Sequence, residues 1–539
     1  MNKSTLLKGL FLTALMAISV TACKQNNGGK KEDPDAIKLV EYDPFTGITN
    51  HRNMRINGEG AACEQYTEYS RVVENEDGTK SKQTKYVVDN VKALVIPVDF
   101  TDYTYELYGD TENDSREELR KIIFGTREET SWYSLKEYYK ASSFGQCNIT
   151  GDVGPWWHTN IKSTSLPKED GKTSTAYART CATDIRDYYR EHADEINLAD
   201  YDANKDGYVD ALLMLYTAPI DTTGSLWWAF CWSLSNPYGK YTPDGGLEGV
   251  NRFFWASFNF FYEKEDGSYY SSAEIKNGTA KPDSHTIIHE FGHVLSLPDY
   301  YVTDYNTSDY SGLGGLDMMD YNVGDHNAYS KMMYGWINPR RVTGLNGSLT
   351  TTLKSTTTTG DTIIIPAKGY DNWNDTLLDQ YIMIEFLTPE GVAELDGKTR
   401  LLGHYPLYYS KAGIRITHVD SRLGQFTSAG FSGYAWTTKP SDNQSYITIA
   451  ADNTASRSCF KKFKLIEVLP ATGKSMKTRT GNAGDDCLYQ EGQTFGANGL
   501  FENYKLHDSA GEFTKDFGFT ISIDKINGNE SATITIKVA

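Results

Sequence analysis

The sequence lacks several features that would define the class of the protein directly. It has no surplus of positive charge, since the formal net charge is −18 over 539 residues. This argues against nucleic acid as a partner, because binding to a phosphate backbone needs a basic surface. After residue 23 no hydrophobic run is long enough to span a membrane. The seven cysteines form no close Cys-x-x-Cys pair, so a zinc–thiolate site is not expected. No internal repeat is evident.

The N terminus has the pattern of an export signal. An apolar run from Leu10 to Val20 is too short to cross a bilayer and is typical of a signal peptide. A small residue and then Cys23 follow, as at bacterial lipoprotein cleavage sites. We predict a lipoprotein signal peptide at residues 1–22 and a membrane anchor on lipidated Cys23; a secretory signal with an incidental cysteine is the alternative. Polar residues follow, and we assign 23–88 to a tether or a pro-segment. The expected location is the bacterial cell envelope, at the outer membrane or cell surface, with the periplasm as the alternative.

Histidine is scarce, with 10 in 539 residues, yet two stand in the pentapeptide His289-Glu-Phe-Gly-His293. A helix start signal precedes it, with Asp283 or Ser284 as the N-cap, and apolar residues then recur at helical spacing. On a helix, His289 and His293 lie one turn apart on one face, so both imidazoles can bind one zinc ion. Glu290 projects towards the place of a zinc-activated water, which is the position of a general base.

The third zinc ligand is predicted to be Asp299, six residues after His293. The metzincin pattern His-Glu-x-x-His-x-x-Gly-x-x-His has its third ligand at this offset. Pro298 prevents the helix from resuming, so the chain can turn back towards the metal. Ser296 stands where the pattern has its turn glycine, so either the turn is built differently or the chain accepts strain.

A candidate methionine turn follows within residues 314–322. Metzincins have such a turn beneath the zinc. Met319 is the preferred candidate and Met318 the alternative; either side chain would form a soft apolar floor under the imidazoles. Tyr321 lies two residues after Met319, where some metzincins have a tyrosine that helps to hold the metal or the tetrahedral intermediate.

These motifs resemble the M6, immune-inhibitor-A-like, family of secreted zinc metallopeptidases, most clearly in residues 289–301. Other segments resemble the family in the same order: 91–100, 134–145, 148–151, 206–216 and 331–339. The resemblance covers about residues 90–345. It implies a zinc endopeptidase with a mixed α/β catalytic domain. One family feature, a Trp-x-His, is replaced here by the segment 227–232, which leaves details of the substrate cleft open.

Residues 202–210 resemble the first part of an EF-hand loop. Glycine stands at the sharp turn, and the candidate calcium ligands are Asp202, Asn204, Asp206, the backbone oxygen of Tyr208 and Asp210. Leu213 stands where the bidentate glutamate belongs, and Asp200 is a candidate for the missing oxygen. We predict calcium as a second, structural cofactor; a polar turn without an ion is the alternative.

Six cysteines remain besides Cys23. The exported context permits disulfides, and Cys459 with Cys487 is a candidate pair because both fall in the C-terminal part. Cys63 is expected to form a disulfide or to stay an inert thiol; a thiolate that occupies the fourth zinc position is the alternative.

The last third of the chain predicts a different architecture. Short β-branched or aromatic stretches alternate with glycine, asparagine and aspartate, which is typical of a β-sandwich. His418 and Asp420 lie on one of these strands and are interpreted as structural polar groups. We therefore predict an α+β chain: a metzincin-like zinc-protease catalytic domain at residues 89–345, followed by a C-terminal β-sandwich at 346–539.

The favoured function is an exported zinc endopeptidase that acts as a monomer on protein or peptide substrates. Zinc would activate the water, and Glu290 would take its proton. One alternative is a non-catalytic surface lipoprotein that binds host glycan or protein through its β-sandwich. Intact Glu290 speaks against it. Another is a zinc hydrolase that cleaves a non-peptide bond.

Overall fold

The computed structural model describes residues 33, 35–44, 54–55, 66–74, 79–169, 171–221, 226–234, 249–303, 309–366, 378–426, 434–436, 446–448, 453–454, 463–508 and 512–539. The signal peptide, the lipidation site Cys23, and Cys63 lie outside these residues and stay predictions. Cys459 also lies outside them. Cys487 carries a free, buried thiol, so the proposed Cys459–Cys487 disulfide is wrong for this structure.

The helices of the described residues are, in chain order, α1 (Glu112–Phe124), α2 (Leu135–Ser142), α3 (Ala176–Glu191), α4 (Ser272–Lys276), α5 (His285–Val294), α6 (Met318–Tyr321), α7 (Ala328–Met333) and α8 (Thr356–Thr359). None of these helices is long and apolar enough to cross a membrane.

The strands of the same residues are, in chain order, β1 (Lys38–Glu41), β2 (Met54–Arg55), β3 (Thr67–Glu74), β4 (Lys80–Val87), β5 (Asn90–Asp99), β6 (Asn148–Val153), β7 (Trp157–His158), β8 (Lys168–Glu169), β9 (Lys172–Thr173), β10 (Ala211–Tyr216), β11 (Phe230–Ser233), β12 (Arg252–Ser257), β13 (Arg340–Thr343), β14 (Ser348–Lys354), β15 (Thr362–Pro366), β16 (Gln380–Leu387), β17 (Gly413–Asp420), β18 (Leu423–Phe426), β19 (Tyr434–Trp436), β20 (Tyr446–Thr448), β21 (Ile466–Val468), β22 (Thr494–Phe495), β23 (Lys505–His507), β24 (Phe513–Asp516), β25 (Phe519–Asn527) and β26 (Ser531–Val538).

A mixed sheet forms the scaffold of the first half, in the order β11-β12-β10-β5-β6, with β7 also paired to β5. β12, β10, β5 and β6 run parallel, and β11 is an antiparallel edge strand. Side chains of α1, α2 and α5 pack on one face of this sheet and those of α3 on the other. Because both faces are covered, β10 is apolar at every position, as a parallel sheet between two helical layers requires.

Two further sheets draw most of their strands from the second half and pack on each other, and the predicted C-terminal β-sandwich domain stays a prediction. One has the order β1-β13-β15-β16-β17-β21 and the other β14-β26-β25-β22. Their facing side chains form one apolar core, with Ile363, Ile384 and Ile416 from the first sheet and Ile523 and Ile534 from the second. Together with the first sheet, this makes a mixed α/β molecule with several sheets, compatible with the α+β expectation.

The strands β16 and β17 of the first of these two sheets are buried on both faces. Every residue of β16 and β17 is buried, since the face away from the sandwich packs on the core of the first half. Tyr381, Met383 and Val419 belong to that core together with Phe291 of α5. The apolar core is therefore continuous across residue 345, where the sequence analysis places a domain boundary.

The segment predicted as a tether or pro-segment is folded where the structure describes it. β1 extends the first sandwich sheet by pairing with β13. Tyr66 and Tyr86 are buried in the core of the first half, and the Tyr66 hydroxyl donates to the Met333 carbonyl. The described part of this segment is therefore ordered against the rest of the protein, and its assignment as a tether or a pro-segment stays a prediction.

Candidate metal centre

The two histidines of the pentapeptide lie on α5, which is buried along almost its whole length. Ser284 occupies the N-cap, but its hydroxyl makes no capping bond. The capping acceptor is Asp283, whose Oδ1 accepts from the His285 backbone N–H at 3.0 Å. Both residues are N-cap candidates in the sequence. The Asp283 carboxylate is the capping group, because it is also held in place by His285 Nδ1, from which it accepts at 2.8 Å.

The chain leaves α5 through a left-handed turn at Ser296, whose φ is +73°. Ser296 N–H donates to the His293 carbonyl and Leu297 N–H to the Gly292 carbonyl, both at 2.9 Å. Of the two expectations for this turn, a different construction or accepted strain, the structure has the strained one. A side chain in the left-handed region costs about 1–2 kcal/mol. The turn directs the chain back over the helix, and Asp299 arrives beside the histidines.

Three donor atoms converge at this point. Asp299 Oδ1 lies 3.2 Å from His289 Nε2 and 3.0 Å from His293 Nε2. The donor atoms of the three residues all lie within 4.8 Å of one another. Two ligand atoms that are each about 2.1 Å from a tetrahedral zinc lie about 3.3 Å apart. The separations therefore match those that zinc requires.

The hydrogen bonds of the two Nδ1 atoms determine the tautomer of each imidazole. His289 Nδ1 donates to the Met318 carbonyl at 2.7 Å, and His293 Nδ1 donates to the Leu297 carbonyl at 2.8 Å. A carbonyl only accepts, so each neutral imidazole has its lone pair on Nε2. Both lone pairs then face the oxygen of Asp299. Such an arrangement is repulsive unless a cation or a proton lies between the atoms, so the donor set fits a divalent metal ion.

The charge of Asp299 agrees with this interpretation. Burial alone would raise the pKa of Asp299, but His293 and His289, when positively charged, hold the pKa of this carboxyl well below its ordinary value. Asp299 is therefore an ionised ligand throughout the neutral range. Glu290 follows His289 on the same helix and is 8% exposed. A buried carboxylate beside the ligand set is available as a proton acceptor.

α6 forms the floor of the site. Met318 and Met319 are both fully buried, and a Cβ added at Gly292 would lie 2.3 Å from Met319 Sδ. The sulfur thus lies directly against α5 at Gly292, and the role of Met319 as the methionine of a metzincin-like turn stays a prediction. Met318 contributes through its backbone, since its carbonyl accepts from His289. Asp317 holds the turn by accepting from Met319 N–H at 2.9 Å.

Tyr321 is less closely tied to the site. Its side chain is 43% exposed, and its ring packs on Gly315, where a Cβ would come within 2.4 Å of it. Its role towards a substrate stays a prediction.

Two residues beside the site are not indicated by the sequence. One is Tyr301, whose ring lies nearly parallel to that of His289, with an angle of 22° between the rings and centroids 6.2 Å apart. The other is Arg252, which donates to the His293 carbonyl. One of 37 tyrosines and an arginine far away in sequence give no local signal.

The predicted calcium loop is present as a tight turn before β10. Asp202, Asp206 and Asp210 are at most 9% exposed. Asp202 accepts from the backbone N–H groups of Asp206 and Gly207, and Asp210 from those of Lys92 and Ala203. Burial raises the pKa of Asp210 to about 8, and the two other carboxylates add to this. Among the described residues, only His289, His293 and Asp299 bring three metal-ligand atoms of His, Cys, Asp or Glu side chains close together. Calcium binding at residues 202–210 therefore stays a prediction.

The site is thus a candidate metal centre of two helical histidines and one aspartate on a mixed α/β scaffold. No family model matches the sequence. The chain is 22% identical over 251 residues to Immune inhibitor A of Bacillus thuringiensis subsp. alesti, and the match covers 40% of this chain and 34% of that protein. The similarity supports a distant relationship at most. Because the chain matches about a third of the relative's length, the activity and substrates of the whole protein are proposals.

Proposed function

We propose that this chain is a zinc-dependent endopeptidase of the M6 type. The observation that carries the proposal is the convergence of His289 Nε2, His293 Nε2 and Asp299 Oδ1, with both Nδ1 atoms bonded to carbonyls. Glu290 adds a general base, which a purely structural metal site does not need. The distant similarity to Immune inhibitor A supports a peptide substrate.

Each residue of the candidate centre has a separate role in the proposed reaction. Zinc bound there would polarise the scissile carbonyl and lower the pKa of its water. Glu290 accepts a proton from the attacking water and returns it to the leaving amine. Asp299 supplies the negative charge of the ligand set, and Met319 keeps the floor below the imidazoles apolar. Tyr321 is the candidate donor to the developing oxyanion.

The protein would work as a monomer at the bacterial cell envelope. We propose that Cys23 is acylated, so that the substrate is an extracytoplasmic protein or peptide. Mass spectrometry of freshly exported protein tests the anchor. An unmodified N terminus downstream of Cys23 would overturn it without affecting the metal centre.

The decisive experiment measures zinc content and casein hydrolysis on the same purified samples. Glu290→Gln removes the base but leaves all three ligands. We expect zinc content and melting temperature to be retained and hydrolysis to fall by roughly 10²- to 10⁴-fold. Asp299→Ala should lose zinc and hydrolysis together.

Glu191→Gln provides the matched control, because it makes the same chemical change at an exposed position at the end of α3. It should leave both measurements unchanged. A Glu290→Gln variant with near-full activity would sink the mechanism, and a wild-type protein that binds no zinc would sink the proposed function as a whole.

A further inference from the structure

Asp320 is a buried carboxylate that the proposed reaction does not use. It lies on α6, directly after Met319, and is 2% exposed. Its Oδ2 accepts from Ser311 Oγ at 2.5 Å and from Gly315 N–H at 2.8 Å. Its Oδ1 is also buried and has no hydrogen-bond partner among the described residues. A buried carboxylate oxygen without a partner is costly, so a compensating interaction is expected.

The backbone of α6 places this carboxylate close to the metal ligands. Met318 carbonyl accepts from His289 Nδ1, and Met319 carbonyl accepts from Tyr300 N–H, both at 2.7 Å. The loop that carries Asp299 and the helix that carries His289 therefore both contact α6. The charges that act on Asp320 are those of His289 and Asp299.

Asp317, at the start of the same turn, shows what a purely structural carboxylate looks like here. Both of its oxygens are hydrogen-bonded, one to Met319 N–H and the other to the backbone and side-chain amides of Asn327. It also faces the cation Arg415. Asp320 has one bonded oxygen, and no lysine or arginine of the described chain pairs with it.

The balance of charge explains why such a group is tolerated. Without a metal ion, Asp320 and Asp299 are two buried carboxylates that repel each other. A divalent cation held by the two histidines and Asp299 changes the sign of the interaction, because it leaves a net positive charge in a poorly solvated place. The carboxylate of Asp320, on which the charges of His289 and Asp299 act, then attracts the ion.

We propose that the Asp320 carboxylate is the counter-charge of the metal centre: it raises the affinity of His289, His293 and Asp299 for a divalent cation. It is a positioning residue and not a ligand. The inference rests on the metal centre of the proposed function, but it does not depend on what the enzyme cleaves.

Asp320→Asn tests the charge alone. An asparagine oxygen can still accept from Ser311 and Gly315, so the hydrogen bonds survive while the charge is lost. The measurement is the zinc dissociation constant of the full chain, obtained by competition with a chromophoric chelator at about pH 7.5, where the carboxylate is ionised. We expect zinc binding to weaken by about 10- to 100-fold. The metal-free variant should melt at or above the temperature of metal-free wild type, because a repulsive pair has been removed.

Ser311→Ala is the matched control, since it removes a hydrogen bond and keeps the charge. It should lower the melting temperature and leave the zinc dissociation constant within about threefold of wild type. Unchanged zinc affinity in Asp320→Asn, or an equal loss in Ser311→Ala, would overturn the proposal. A wild-type protein that binds zinc but cleaves no peptide would contradict the proposed function and leave this inference standing. Wild type without zinc affinity would contradict both.

Discussion

At the scale of single residues, Ser296 shows a local cost that the chain accepts to form its metal centre. Its left-handed conformation costs about 1–2 kcal/mol relative to glycine. Its buried hydroxyl has no hydrogen-bond partner among the described residues, which adds about 1 kcal/mol. Glycine would remove both costs and pay about 0.5–1 kcal/mol in backbone entropy.

Ser296→Gly is therefore expected to stabilise the protein by about 1 kcal/mol, with zinc content unchanged. Urea unfolding followed by tryptophan fluorescence measures the difference. Ser296→Ala is the control, because it removes the hydroxyl and keeps the strain. A glycine variant no more stable than the alanine variant would show that the turn is not strained.

The donor residues of the centre could be predicted from sequence, but their supports could not. His289, Glu290 and His293 follow from their spacing on a helix, and Asp299 from its offset of six residues after His293, which the metzincin pattern shares. The groups that fix the imidazoles are the backbone carbonyls of Met318 and Leu297, and a carbonyl has no residue type by which a sequence could identify it. Asp320 and Tyr301 have identities, but only the packing of α6 and the turn brings them to the site.

At the scale of elements, the start of α5 is fixed by a buried histidine between two carboxylates. His285 Nδ1 lies 2.8 Å from Asp283 Oδ1 and its Nε2 3.2 Å from Asp396 Oδ2. Its ring stacks on Trp132 at 3.8 Å. Burial lowers the pKa of His285, but Asp283 and Asp396 outweigh this and raise it to about 10. The charged histidine thus joins α5, which carries the candidate metal ligands, to the C-terminal half.

This arrangement predicts a pH dependence of stability. The folded pKa of about 10 exceeds the ordinary value of 6.5, so the stabilisation is complete below about pH 6.5 and is lost as the pH rises towards 10. Melting of metal-free protein between these values should show the decline. His285→Gln should remove this part of it, and Asp396→Asn should shift it to lower pH. His404→Gln, at an exposed histidine, is the control. An identical decline in wild type and His285→Gln would contradict the assignment.

The loop before β10 carries a second prediction at this scale. Asp202, Asp206 and Asp210 are buried close enough for their charges to interact. Calcium would relieve their repulsion, so added calcium should raise the melting temperature, and EGTA should lower it in protein purified with calcium. Asp206→Asn should weaken the response. A melting temperature that ignores both additions would leave a polar turn without an ion.

At the scale of the whole molecule, strands were easier to predict than their partners. β15 and β17 lie in the last third of the chain, where short β-branched stretches predict strands. Nothing local indicates that β1, nearly 300 residues earlier, extends their sheet by pairing with β13. β16 is buried on both faces, and its sequence indicates this, since the side chains of a strand with one solvated face would alternate between apolar and polar. It marks the surface on which the first half packs.

That surface leads to a prediction about the two halves. Glu385 of β16 accepts from Ala328 N–H at the start of α7 at 2.9 Å and pairs with Arg415 of β17, and both charged groups are 1% exposed. A chain ending at residue 345 would lose these partners and would expose the core around Phe291, against which Met383 packs in the full chain. We expect it to lack a cooperative melting transition and to bind no zinc. Co-expression of residues 346–539 as a separate chain should restore both properties, because the halves are held by packing. A truncated chain that melts cooperatively and binds zinc as tightly as the full chain would show instead that the first half is an independent domain.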